Sequence, residues 1–387
     1  MAQATRSRSQ ARPTGGGGPV IPFTSAAHEH TEPFFDQTFK PGANVQNFGP
    51  INVPSYGYLR HIYIQVTATG GVLGTGELGA DYPWNLFQSL SLVDTNGAPI
   101  FGPLDGYASY ISNLVGGYGH NSDAALVNSC PWFVPTINAQ FPLRIPIEIS
   151  HHDGLGALAN QNSAASYQIQ GSISTFAQMM KTVGTATASE FRVRMFLESW
   201  SLPNEADRVG RPQAQLPPAH GTTQFWSQSV RQVVVGQNTI PVTRMGNLIR
   251  CLVLICRNAA GERKAGVMPD PMTINWDARQ LLMDTQKYRE HVGLAERSNL
   301  GTYPVGVFAF PFNHSTDNEI GDDNPSLWIP TVQATRFQVE GVAAEAGNMQ
   351  QLICDIAPGE VIPADRYVET SQTGFHPQVG TTTPGTQ

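Results

Sequence analysis

Apolar and polar residues alternate with a period of two along most of this chain. From Tyr58, "YLRHIYIQVTATGG" sets Leu59, Ile62, Ile64 and Val66 among polar neighbours and stops at Gly70-Gly71. That is the mark of a half-buried strand running into a turn. "LFQSLSLVDTNGAPIF" (Leu86 to Phe101) predicts two strands joined at Asn96-Gly97, a dipeptide suited to tight hairpins. "FPLRIPIEIS" (Phe141 to Ser150) and "SEFRVRMFLESW" (Ser189 to Trp200) alternate in the same way.

Helical spacing is confined to short stretches. "LDGYASYISNLVGG" offers Asp105 as N-cap, a stripe of Tyr107, Ile111 and Leu114, and a Gly-Gly stop. "DTQKYREHVG" offers Asp284 or Thr285 as cap, Tyr288 and Val292 on one face, and Gly293 as stop. A longer helix from Asp277 to Val292 is the rival reading there, since Leu281 and Thr285 share that face. The shorter helix keeps the two halves of the chain in register.

Those halves resemble each other in pattern. "LIRCLVLICRNAAGER" answers "YLRHIYIQVTATGG", and "PMTINWDARQLLMD" answers the Asn-Gly hairpin. "YPVGVFAFPFNHSTDNEIGDD" answers "FPLRIPIEISHHDG"; "TRFQVEGVAAE" and "MQQLICDIAP" close the second half as "SEFRVRMFLESWSLP" closes the first. Self-similarity of this kind implies two similar all-β units in tandem, each an eight-stranded jelly-roll β-sandwich with short helices in its connections. The expected organisation is an arm over residues 1–34, a first jelly roll over 35–203, a linker over 204–224, a second jelly roll over 225–363 and a tail over 364–387. "LPNEADRVGRPQAQLPPAHGTTQ" carries four prolines and no apolar period, which marks the linker. The two ends are too polar and too rich in Gly, Ser, Thr and Pro to offset the cost of ordering their backbone.

Composition agrees with this. Of 387 residues only 14% are charged, while 38 are Gly and 29 are Pro, favouring short strands and tight turns. A formal charge of −7 gives no overall drive toward nucleic acid. The N-terminus lacks the apolar run of a secretory signal. Cys130, Cys251, Cys256 and Cys354 form no CxxC pair, and read as buried small apolar residues in a reducing compartment. Cys251 and Cys256, an odd number apart, should point to opposite faces of one strand.

Little in the chain reads as reactive. His151-His152-Asp153 is either a metal cluster or the loop that ends a strand. Adjacent histidines on a strand point apart, which favours the loop. His28 and His30 form an HxH in a polar stretch that reads as solvated. The motifs GxxxxGK[ST], HExxH and GxSxG are absent. Asp322-Asp323, or Glu340 with Glu345, are the acid pairs that a glycosidase reading would use, and they read more simply as loop and surface charges. Asn313-His314-Ser315 is a sequon that matters only in a secretory pathway. Arg6, Arg8 and Arg12 stand among the first twenty residues without an acid. They either meet phosphates of a genome or lipid headgroups, or form a solvated tail.

The order and character of these segments resemble the double jelly-roll major capsid proteins of tailless, internal-membrane (tectivirus-like) phages. The resemblance runs over roughly residues 33–357. It rests on "FFDQTFKPGANVQNFGPINVPSYGYLRHIYIQVTA", "LFQSLSLVDTNGAPI", "LRIPIEISHHDGLGALANQNSAASYQIQGSIS", "INWDARQLLMD", "YPVGVFAFPF" and "ATRFQVEGVA", taken in that order. It implies a non-enzymatic virion protein with no cofactor, whose homotrimers form pseudo-hexagonal capsomers tiling an icosahedral shell around an internal membrane and DNA genome. Implied partners are other copies of itself, penton proteins, and minor capsid or membrane proteins. The N-terminal arm departs from the family pattern, since it shows no amphipathic stripe. The competing expectation is a carbohydrate-binding or carbohydrate-active protein on tandem jelly rolls.

Overall fold

The computed structural model describes residues 20–116, 118, 140–150, 152–218, 222–277, 279–284, 304–312, 328–332 and 334–357. Eight principal strands build the first half. They are β1 (Glu29–Phe39), β2 (Gln46–Asn52), β3 (Tyr58–Thr69), β4 (Phe87–Val93), β5 (Pro99–Leu104), β6 (Gln140–Pro146), β7 (Gln168–Ile173) and β8 (Glu190–Trp200). Eight more build the second: β9 (Gln224–Val233), β10 (Gly236–Pro241), β11 (Leu248–Asn258), β12 (Met272–Trp276), β13 (Arg279–Asp284), β14 (Val307–Pro311), β15 (Phe337–Ala343) and β16 (Gly347–Ile356). A short helix α1 (Phe23–Ala26) precedes β1, and α2 (Gly106–Val115) and α3 (Phe176–Met179) lie between later strands.

Strand order repeats. In the first half one sheet runs β1-β8-β3-β6 and the other β5-β4-β7-β2; in the second half the orders are β9-β16-β11-β14 and β13-β12-β15-β10. Adding eight to each label of the first half gives the second. This interleaving of two four-stranded sheets is the jelly roll, and it occurs twice.

Local chemistry sets the turns and caps as the residue pattern predicts. Asp94 Oδ1 accepts from the backbone N–H of Asn96 and Ala98, each at 2.8 Å, and Gly97 takes φ +85°, so the β4–β5 hairpin closes at Asn96-Gly97. Asp105 caps α2 by accepting from Ala108 N–H at 2.8 Å. The stripe of Tyr107, Ile111 and Leu114 is buried, but so is every other residue of α2, including Ser109, Ser112 and Asn113. The helix is packed on all sides. Asn113 makes this tolerable by exchanging hydrogen bonds with the backbone of Arg144, at 2.8 and 2.6 Å.

One expectation needs correction, and the rival helix of the second half is excluded. The arm does not extend to residue 34: β1 begins at Glu29, and Phe23 is 2% exposed, packed edge-on against Tyr58 and Trp200. A few aromatics anchor a stretch whose average composition looks unstructured. The long helix from Asp277 does not form, because Arg279–Asp284 pairs with β12 as a strand. Residues 285–303, where the shorter helix was expected, lie outside the described residues, as does the tail over 364–387.

Within the stretch read as a linker, residues 212–214 run back beside Ile21, whose N–H reaches Pro212 O at 3.0 Å and whose carbonyl accepts from Ala214 N–H at 3.0 Å. Asp207 closes a tight turn by accepting from the N–H groups of Val209 and Arg211.

The decisive packing feature is the sheet β9-β16-β11-β14. On β11, Ile249, Leu252, Leu254 and Cys256 face the second half's own core. Cys251, Val253 and Ile255 belong instead to the cluster that contains α2 and the core of the first half. The two cysteines do point to opposite faces. A sheet apolar on both sides is a wall shared by two cores. Adjacent residues Leu254 and Ile255 are each 0% exposed, so Leu254→Ala and Ile255→Ala should each destabilise by about 2–5 kcal/mol in chemical denaturation. A large loss at only one of them would show that a single face is packed.

Candidate functional site

The densest polar cluster among the described residues lies where the two halves meet, and it starts from Glu148. This residue follows β6 in the run Ile147-Glu148-Ile149, and its side chain is 0% exposed. Its carboxylate accepts from Arg60 Nε at 2.9 Å and from Trp200 Nε1 at 2.6 Å, while the Arg60 guanidinium lies 4.1 Å above the Trp200 ring. Its backbone carbonyl accepts from the Tyr118 hydroxyl and, at 2.7 Å, from Gln224 Nε2.

Gln224, the first residue of β9 and 0% exposed, carries the network into the second half. Its Oε1 accepts from Arg250 Nη1 and Trp226 Nε1, both at 3.1 Å, and from the Cys354 thiol at 3.4 Å. One amide thereby joins elements from both barrels. Every group named here is engaged, which makes the burial affordable and the geometry specific.

Two further sets of contacts cross between the halves. Asp81 accepts from Arg257 Nη1 at 2.5 Å and Arg263 Nε at 2.8 Å, and both guanidiniums sit over the ring of Tyr107 on α2. Arg263 also donates to Ala80 O at 3.0 Å. Gln350 on β16 donates to Asp105 Oδ2 at 2.5 Å, so the cap of α2 is itself held by the second half.

The chemistry of the junction is protective, not reactive. Burial pushes the Tyr118 hydroxyl and the Cys354 thiol well above their ordinary ranges. These groups keep their protons at neutral pH and offer no nucleophile. Among the described residues no three His, Cys, Asp or Glu side chains converge as metal ligands would.

The residues singled out in the sequence fall elsewhere. Asp153 Oδ1 accepts from Leu155 N–H at 3.0 Å and His152 O accepts from Thr24 Oγ1 at 2.7 Å, the contacts of a turn; His151 lies outside the described residues. The exposed His28 donates its N–H to Ser201 Oγ at 2.8 Å, and His30 lies against the Tyr56 ring at 4.1 Å. Glu340 accepts from Asn275 Nδ2 at 2.9 Å, and Glu345 sits in the turn before β16. Arg6, Arg8, Arg12, Asp322-Asp323, Cys130 and the Asn313 sequon lie outside the described residues. The sequence reading missed Glu148, Gln224 and the two arginines. The usable signal was an arginine at the same place in both apolar strands, "LRHI" and "IRCL".

Neither a protein-family model nor a curated protein sequence matches the chain. Solved structures do. A chain of Sulfolobus Turreted Icosahedral Virus superposes with TM-score 0.61 and 11% identity over 89% of this chain and 96% of that one. The STIV major capsid protein gives TM-score 0.58 and 13% identity over 88% and 99%. A chain of the PBCV-1 virus capsid gives 0.53 and 9% over 89% and 95%. The fold is the double jelly roll of viral major capsid proteins.

The double jelly roll also holds a buried histidine. His61 on β3 stands opposite Glu198 on β8 and is hydrogen-bonded to it. Burial holds the imidazole below its ordinary value of 6.5, against the opposing pull of Glu198 and with the help of Arg144 and Arg60. The unfolded chain therefore takes up a proton at His61 before the folded chain does. Stability should fall as the pH drops below about 6.5 and flatten once the folded imidazole is itself protonated. Urea titrations between pH 5 and 8 check this; His61→Gln should remove the slope nearest 6.5, and an unchanged slope would place its origin elsewhere.

Proposed function

We propose that this chain is the major shell subunit of an icosahedral virus, assembling as a homotrimer whose six barrels form a pseudo-hexagonal block. The single observation that carries this reading is a double jelly roll that matches capsid chains over nearly the whole length of both partners. The junction supports it: a tiling unit must keep its two barrels at a fixed angle, and a shared apolar wall with a satisfied polar network does that. The role is structural, with no catalytic step and no cofactor.

Its place is the virion, after synthesis in the host cytoplasm, around an internal membrane and DNA genome as in the tectivirus-like phages it resembles. Its partners are other copies of itself, penton proteins, and minor capsid or membrane proteins. The N-terminal arm, with Arg6, Arg8 and Arg12, lies on the inner face and meets phosphate there, on lipid or genome.

Purified protein should scatter light as a trimer and show hexagonal blocks in electron micrographs. A stable monomer at shell-forming concentration would contradict the reading. Deleting residues 1–19 spares Ile21 and its pairing with residues 212–214, so trimers should persist while shell closure fails. Complete shells at normal yield from the truncated chain would show the arm to be dispensable.

A further inference from the structure

Among the described residues, Cys251, Cys256 and Cys354 are all buried free thiols. Two of them face each other. After a step over Arg250, strands β11 and β16 resume their pairing at Cys251–Cys354. Both side chains lie on the face of the wall that packs on the first half, 3% and 0% exposed. Cys256 points into the opposite core, beside Met268. The thiols of Cys251 and Cys354 are hydrogen-bonded to each other. Cys354 also donates to Gln224 Oε1 at 3.4 Å, so the sulfur pair sits against the amide that joins the barrels.

The backbone brings this pair within reach of a covalent bond. Arg250 O accepts from Phe312 N–H at 2.9 Å, and Cys256 N–H donates to Gly306 O at 2.7 Å, both on the side of β14. Backbone groups alternate sides along a strand, so those of Cys251 turn toward β16 and Cys251–Cys354 is a hydrogen-bonded pair. Such a pair holds its Cα atoms about 5.5 Å apart, inside the range that disulfides span. Its Cβ atoms stand roughly 1 Å wider than a relaxed disulfide prefers. A bond made there carries strain, and strain makes it easier to reduce.

We infer that Cys251 and Cys354 are a redox modification site: outside a reducing compartment, a low-molecular-weight disulfide oxidises them to a reversible cross-strand bond that bolts β11 to β16. One cysteine, as thiolate, attacks a sulfur of the oxidant and releases its first thiol. The other then attacks the mixed disulfide and releases the second, so two electrons pass to the oxidant and the two cysteine protons end on its thiols or in solvent. While the wall is closed the pair is protonated and shielded. Exchange therefore proceeds when β11 and β16 part, during folding or partial opening, and the bond then opposes their parting again. It closes a loop running from β11 through β12, β13, β14 and β15 to β16, a long one, which restricts the unfolded chain strongly. The site is a property of the wall and is independent of the shell reading.

The test uses the full-length, reduced protein, incubated with oxidised glutathione at pH 8, with and without urea below the unfolding transition. Free thiols are then alkylated under denaturing conditions and the chain is mapped by mass spectrometry without reduction. The expected product is a peptide pair joining Cys251 to Cys354, two hydrogens lighter than its parts and formed faster with urea. The oxidised protein should unfold at a urea midpoint raised by roughly 0.5 M or more, and dithiothreitol should restore the original midpoint. Cys256→Ser should keep the linked pair, and Cys251→Ser should lose both the pair and the midpoint shift. Cys251 and Cys354 recovered alkylated or singly glutathionylated would overturn the inference, as would links to Cys130 or Cys256 in their place. A linked pair that leaves the midpoint unchanged or lowers it would overturn the bolt.

Discussion

Everything in this molecule turns on one sheet that has to be apolar on both faces. In an isolated jelly roll, one face of each sheet packs on the core and the other meets water. Here β11 and β16 cannot follow that rule, because the outward face of their sheet is the floor on which α2 and the first half rest. Cys251, Val253, Ile255 and Leu352 look one way, Leu252, Leu254 and Ile353 the other, and no residue between them reaches solvent. Removing either half would strip water-excluding cover from the other, so the barrels stand or fall together.

An apolar wall alone is non-directional and would let the halves slide. The polar contacts at its margins supply orientation. Gln224 fixes the start of β9 against the carbonyl of Glu148, Asp81 holds two arginines, and Gln350 holds the cap of α2. Each is an inter-barrel contact with defined geometry. Their value lies in the cost of leaving such groups unpaired in any other arrangement. A rigid two-barrel unit follows, and in the proposed shell that rigidity lets identical chains tile a facet.

Much of this was legible in the residues. Alternation located most strands, Asn96-Gly97 its hairpin, Asp105 its helix cap, and the pattern match between halves the tandem architecture. Three things were not. The sequence of α2 shows one apolar stripe, and its burial on all sides comes from a second barrel that no local window contains. Glu148 occupies a polar slot in an alternating run and reads as solvent-facing; only the meeting of Arg60, Trp200 and Gln224, far apart along the chain, turns it inward. The stretch around Phe23 looks like a polar tail because its few anchoring aromatics are diluted by their neighbours. In each case the missing information is long-range, whereas periodicity and capping are local.

The shared wall makes the two barrels one cooperative body. Native-state hydrogen exchange along a denaturant series tests it directly, by following amides of β8 in the first half and β16 in the second. The shared wall predicts that their opening free energies converge on one global unfolding event. Exchange of β16 through an opening that leaves β8 protected would contradict it.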